Sequence, residues 1–177
     1  MNARAALALM AVTGLSILGI GDALADDQNS IKVRLIGYEE IPAVSTTGGG
    51  AFKAKINEHT QTIEYTLSYG DLQGDVTQSH IHFGQVGVSG GIATFLCSNL
   101  GNGPAGTQPC PAAPATITGT IRPADIIGPT AQGITAGEFN ELLAAIRAGV
   151  AYANVHSTKW PGGEIRAQLP GSHGHDD

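Results

Sequence analysis

The chain has 177 residues and a formal net charge of −6, with 42% hydrophobic and only 5% aromatic residues. No run of basic residues stands out, which excludes the electrostatic footprint of nucleic-acid binding and of anionic membrane surfaces. The roughly 150 residues left after a leader suit one domain with a core of its own.

The chain opens MNARAALALMAVTGLSILGIGDALADDQNS. Arg4 precedes an apolar run from Ala5 to Ile20, and Ala23 and Ala25 supply the small residues of a cleavage site. Residues 1–25 therefore read as a signal peptide. The run is short for a bilayer span, which needs about 20 apolar residues. The mature chain is expected to begin near Asp26, to be secreted or periplasmic, and to have no membrane span.

From there short alternating runs recur between Gly-rich breaks. IKVRLIG (31–37) sets Ile31, Val33 and Leu35 against Lys32 and Arg34. AFKAKIN (51–57) and TIEYTLSY (62–69) alternate in the same way around the turn NEHTQ, which predicts a hairpin with His59 exposed at its tip. TQSHIHF (77–83), IATFLC (92–97), ATITGTI (115–121), VAYANVH (150–156) and EIRAQL (164–169) bring the total to about eight strands. Cys97 and Cys110 flank the Gly- and Pro-rich stretch SNLGNGPAGTQP. In an oxidising compartment they predict a disulfide rather than a thiolate metal ligand.

One segment breaks the two-residue rhythm. TAGEFNELLAAIRAG places Phe139, Leu142, Leu143 and Ile146 at helical spacing. Thr135 and Glu138 offer a capping box and Gly149 a left-handed stop, so a helix is expected over about 135–148, covering an open end or edge of the sheet. The tail, residues 171–177, carries His173, His175, Asp176 and Asp177 without an apolar residue and reads as solvated and disordered. The expected fold is mainly β: an antiparallel β-sandwich or barrel with one capping α-helix, in a domain spanning residues 26–170.

The chemistry gathers in SHIHFG. A strand sends alternate side chains to one face, so His80 and His82 point the same way, with Cβ atoms about 6.5–7 Å apart. Both rings can then reach one ion at bond lengths near 2.0–2.1 Å. His156, on a face with Tyr152 and Asn154, is the third candidate ligand if its strand neighbours that of His80. Glu164 and Arg166 share a face, where Glu164 is expected to orient an imidazole, to serve as a fourth ligand, or to pair with Arg166. Trp160, the single tryptophan, lies in a Pro-Gly loop and is a candidate partner contact. Short H-x-H patterns also arise by chance, and the same rings could bond only to Glu164, Asn154 or main-chain carbonyls.

The succession YEEIPAVSTTGGGAF, IEYTLSYGDL, HIHFGQVGVSGGIATFL, TGTI and AIRAGVAYANVHSTKWPGGEIRAQL resembles the CHRD domain, a module named for an extracellular growth-factor antagonist and also found alone in microbial secreted proteins. The resemblance covers about residues 31–169. It implies a β-rich extracellular module and draws attention to His80, His82, Asn154, His156, Glu164 and Arg166; it implies no established reaction. The Cys97–Cys110 loop looks like an insertion on the family pattern.

The leading expectation is a secreted domain that binds a transition metal, copper or zinc, through His80, His82 and His156, with Glu164, Asn154 and Arg166 around them. The alternative is an extracellular protein- or glycan-binding module with structural histidines. The H-x-H strand also resembles that of copper–zinc superoxide dismutases, but the bridging histidine and zinc-ligand set of that family do not stand out here. No nucleophile elbow, P-loop or HExxH motif is present, so a binding protein is expected rather than an enzyme.

Overall fold

The computed structural model describes residues 29–171; the expected leader, and the tail beyond Gly171, lie outside the described residues. Eight antiparallel strands form a nearly closed barrel: β1 (Ser30–Ile36), β2 (Gly49–Asn57), β3 (Thr62–Gly70), β4 (Val76–Phe83), β5 (Gly91–Ser98), β6 (Ala115–Ile121), β7 (Ala151–Ser157) and β8 (Ile165–Gln168). Their order is β5-β4-β7-β8-β1-β2-β3-β6. The barrel form of the two expected architectures is thus the one adopted.

The alternation read from the sequence selects the core. Ile31 and Leu35 of β1, Phe52, Ala54 and Ile56 of β2, and Ile63, Leu67 and Tyr69 of β3 are all buried in one cluster. Phe52 and Leu67 lie opposite each other across β2 and β3, both fully buried. Each such side chain stabilises the fold by roughly 1.5–3 kcal/mol.

The seam between the two edge strands is closed by side chains. Tyr65 Oη donates to the Leu96 carbonyl of β5 at 2.9 Å. The Gln108 amide donates to Tyr65 Oη, to Leu96 O on β5 and to Thr118 O on β6, at 2.9, 3.1 and 3.1 Å. Beyond β6 the chain adds to β5 through the Ile127 N–H, which donates to Ala93 O at 2.9 Å. These contacts occupy edge groups that would otherwise be open to another chain. The Cys97–Cys110 disulfide is present and anchors the Gln108 loop to β5.

Helix α1 (Phe139–Arg147) is the predicted one, shortened at its start. Gly137 sits at φ +87, a left-handed conformation that no α-helix contains, so the first turn cannot begin at Thr135. Half of the capping box survives as a separate turn, with the Thr135 N–H donating to Glu138 Oε2 at 2.6 Å. The far end stops as expected: Val150 N–H reaches Ala145 O and Gly149 N–H reaches Ile146 O, a Schellman arrangement. Phe139, Leu142, Leu143 and Ile146 are buried. The helix covers one barrel end, tied to the β2–β3 turn by the Arg147–Glu58 ion pair and by Gln61–Asn140, and it leads directly into β7.

The part of the fold that matters for function is β4-β7-β8. On a barrel wall every second residue of a strand faces outward, yet all seven residues of β7 are buried. Its outer face, with Tyr152, Asn154 and His156, lies beneath the segments 37–48, 84–90 and 158–163.

Reduction of the disulfide, or the Cys97→Ala/Cys110→Ala variant, is expected to lower the unfolding free energy by about 3 kcal/mol in urea titrations at neutral pH. An unchanged midpoint would mean that Gln108 and Tyr65 hold the seam unaided.

Candidate metal centre

Registers across β4 and β7 bring the three histidines together. His80 pairs with Asn154, His82 with Tyr152, and Gln78 with His156. Irregularities in the β4–β5 pairing fall at Ser79/His80 and at Ile81/His82, where bulges re-aim side chains. Ring centroids are 5.2 Å apart for His80–His82, 5.0 Å for His80–His156 and 6.2 Å for His82–His156. One nitrogen from each ring lies within 4.8 Å of the others, and all three residues are buried. The expected convergence of strands about seventy positions apart is therefore present.

The hydrogen bonds define where the protons sit. His82 Nδ1 meets Gly90 O at 2.9 Å, and His156 Nδ1 meets Pro161 O at 2.9 Å. A carbonyl only accepts, so both Nδ1 atoms carry the proton and both Nε2 atoms carry a lone pair. His156 Nε2 faces His80 Nδ1 at 3.2 Å and Asn154 Oδ1 at 3.1 Å. A neutral imidazole has one N–H, yet His156 faces two oxygens that only accept. Among the described residues, His80 Nε2 and His82 Nε2 have no partner. The cluster is rich in acceptors and short of donors, which is the environment a cation satisfies. Two nitrogens bound to one tetrahedral ion at 2.0–2.1 Å stand about 3.3 Å apart, close to the His80–His156 spacing.

Burial keeps these rings neutral. It pushes His80 down to about 2, with His156 and His82 adding to the shift. Burial also lowers His82, to about 4; the Gly90 carbonyl raises it, while His156 and Arg166 push it further down. His156 is lowered by burial against the opposing bond to Pro161. At pH 7 all three therefore present lone pairs, as metal binding requires.

The surroundings differ in part from expectation. Arg166 makes no ion pair with Glu164. Its Nη1 donates to Val88 O at 3.0 Å and its Nη2 to Gln168 Oε1 at 3.2 Å. Its guanidinium lies 3.4 Å above the Tyr152 ring, and Tyr152 stacks on His82 at 4.7 Å and 1°. Tyr152 Oη accepts from Gly90 N–H at 3.1 Å. This column fixes segment 84–90, and with it the carbonyl that orients His82. Glu164 turns Oε1 to the Thr46 hydroxyl at 2.6 Å and to Gln73 N–H at 2.7 Å, so main-chain carbonyls take the orienting role expected of it. Trp160 is half-buried and donates from Nε1 to Gln73 Oε1 at 3.3 Å, and His59 is exposed in its turn.

Glu40 was not legible as a site residue. It is 4% exposed, beneath segment 158–163, and Gly163 is required there because a Cβ would stand 2.4 Å from its Oε1. Burial raises its pKa to about 7, opposed by the charge of Arg166 and by hydrogen bonds from Ile41 N–H and the Asn154 amide. Glu40 and Glu39 are the carboxylates whose charge acts on Arg166. The only signal in the sequence was its place within YEEIPAV; its burial depends on a glycine more than a hundred residues later.

The motifs quoted above all lie within the span found by comparison with known families: the model of the CHRD domain matches residues 31–169. The chain belongs to the CHRD domain family. Comparisons with curated proteins and with solved structures return no match. The matched span of this CHRD domain includes Glu40, all three histidines, Asn154 and Arg166, and the family is that of an extracellular module. No helix among the described residues is long and apolar enough to cross a membrane.

The depressed histidines give a signed pH dependence. The unfolded chain protonates them as pH falls below 6.5, whereas the folded chain holds His82 neutral to about 4, so stability is lost on acidification through that window. Glu40 acts oppositely: its folded value near 7 exceeds its ordinary 4.5, so the stability it contributes in acid is lost as pH rises. Each histidine not offset in this way contributes about 1.4 kcal/mol per pH unit. Urea melts at pH 7, 6 and 5 are expected to show falling stability, with a shallower fall in His82→Phe.

Proposed function

We propose that this CHRD domain is a secreted or periplasmic module that binds one transition-metal ion, copper or zinc, through His80, His82 and His156. The observation that carries the reading is the donor deficit: three buried imidazoles with ligand atoms inside 4.8 Å, two of them with their protons committed to carbonyls. Asn154 Oδ1 is a further neutral donor beside His156. The Cys97–Cys110 disulfide supports an oxidising compartment. The reading assigns binding and no turnover; superoxide consumption by copper-loaded protein is the measurement that would add an activity.

A second reading, a protein- or glycan-binding module, is favoured by one feature. Tyr38 and Val86 are 73% and 74% exposed, and Ile41 and Val88 are also exposed, on two of the three segments that cover the outer face of β7. Trp160, half-buried in its loop, remains part of this reading as a proposed partner contact.

Calorimetric titration of chelator-treated protein is expected to give one ion per chain, weakened about 100-fold or more in His80→Ala and in His156→Ala. Equal, weak binding by wild type and both variants would remove the metal reading and leave the module. Asn154→Ala is expected to weaken binding by roughly tenfold.

A further inference from the structure

The charge inventory of the pocket goes further than its ligand set. The cluster of ligating groups contains three histidines and, among the described residues, no carboxylate or thiolate joins them. Glu164 binds Thr46 and Gln73 through Oε1 and keeps its buried Oε2 without a partner, and Glu40 is acted on by the charge of Arg166 and by the Asn154 amide. The one permanent charge stacked into the site is positive: the Arg166–Tyr152–His82 column places the guanidinium carbon within about 8 Å of the His82 ring, where a unit charge matters by roughly tenfold.

A divalent ion here would carry two charges into a buried site whose three ligating side chains are all neutral, the carboxylates Glu40 and Glu39 acting on Arg166 and not joining the ligand cluster. The solvation lost on burying an ion grows with the square of its charge, so the second charge multiplies the penalty about fourfold. Repulsion from Arg166 doubles as well. Zinc also asks for a fourth ligand, ordinarily an anionic side chain or a water. His80 is 0% exposed, and His82 and His156 are 7% and 6% exposed, which leaves little access for a balancing anion. A cuprous ion carries one charge, has a filled d shell and accepts three nitrogen donors without water. Asn154 Oδ1 adds a neutral donor and no charge.

We propose that the three-histidine centre selects a monovalent copper ion over divalent zinc, with Arg166 as the positive group that sets the preference. This rests on the metal reading above and assigns the oxidation state that the reading leaves open. The discrimination is by net charge, since both ions meet the same three rings.

Chelator-treated wild-type protein is titrated without air against Cu(I) in competition with bicinchoninate, and separately against Zn(II) in competition with a zinc chromophore. Cuprous binding is expected to be about 100-fold tighter than zinc or more. A smaller ratio overturns the proposal while leaving the metal reading intact; no binding of either ion removes both. Arg166→Gln provides the second test. Removing the charge is expected to tighten zinc binding by about the square of any tightening of cuprous binding, roughly 100-fold against tenfold. Equal changes for the two ions would overturn the assignment to Arg166. If that variant fails to fold, the wild-type ratio still decides.

Discussion

Burying both faces of β7 takes three imidazoles, an amide, a guanidinium and a phenol out of water together, and each must find its partner inside the protein. The covering segments meet this requirement with main-chain atoms. Gly90 O and Pro161 O take the Nδ1 protons, Gly90 N–H meets Tyr152, and Val88 O meets Arg166. The remaining nitrogens point inward at one another, and two of them, His80 Nε2 and His82 Nε2, are left without a partner.

The barrel and the centre share strands but not faces. Ile81, Ala153, Val155, Ile165 and Ala167 face the core, while the histidines and Arg166 occupy the alternate positions of the same strands. Packing of the inner face holds the register to which the outer geometry is locked. A slip of one residue would exchange the two sets, placing imidazoles in the apolar core. The inner face thus secures the site without touching it. The covering segments are secured differently, by Arg166, Gln168 and Tyr152 reaching up from the sheet.

Much of this was written locally in the chain. Two-residue alternation marked all eight strands to within a residue or two, because the pleat makes burial a matter of parity. The single helix stood out by its 3.6-residue spacing, and its stop at Gly149 was correct. Its start falls later than the T-x-x-E pattern predicts, because the left-handed Gly137 inserts a turn before the helix. His80 and His82 were legible as a pair facing one way. His156 was legible only as a conditional third, since strand order is a property of the whole sheet.

By itself, the sequence determined which residues lie on one face of each strand, where the helix ends, and that two cysteines flank one loop. These follow from neighbours a few positions apart. Closure of the barrel decided the rest: that β7 lies between β4 and β8, that Arg166 stacks on Tyr152 instead of pairing with Glu164, and that Glu40 is buried under Gly163. The physical reason is that the groups orienting the histidines are carbonyl oxygens, which every residue possesses. No residue type announces which of them will face an imidazole until the segments carrying them are folded over the sheet.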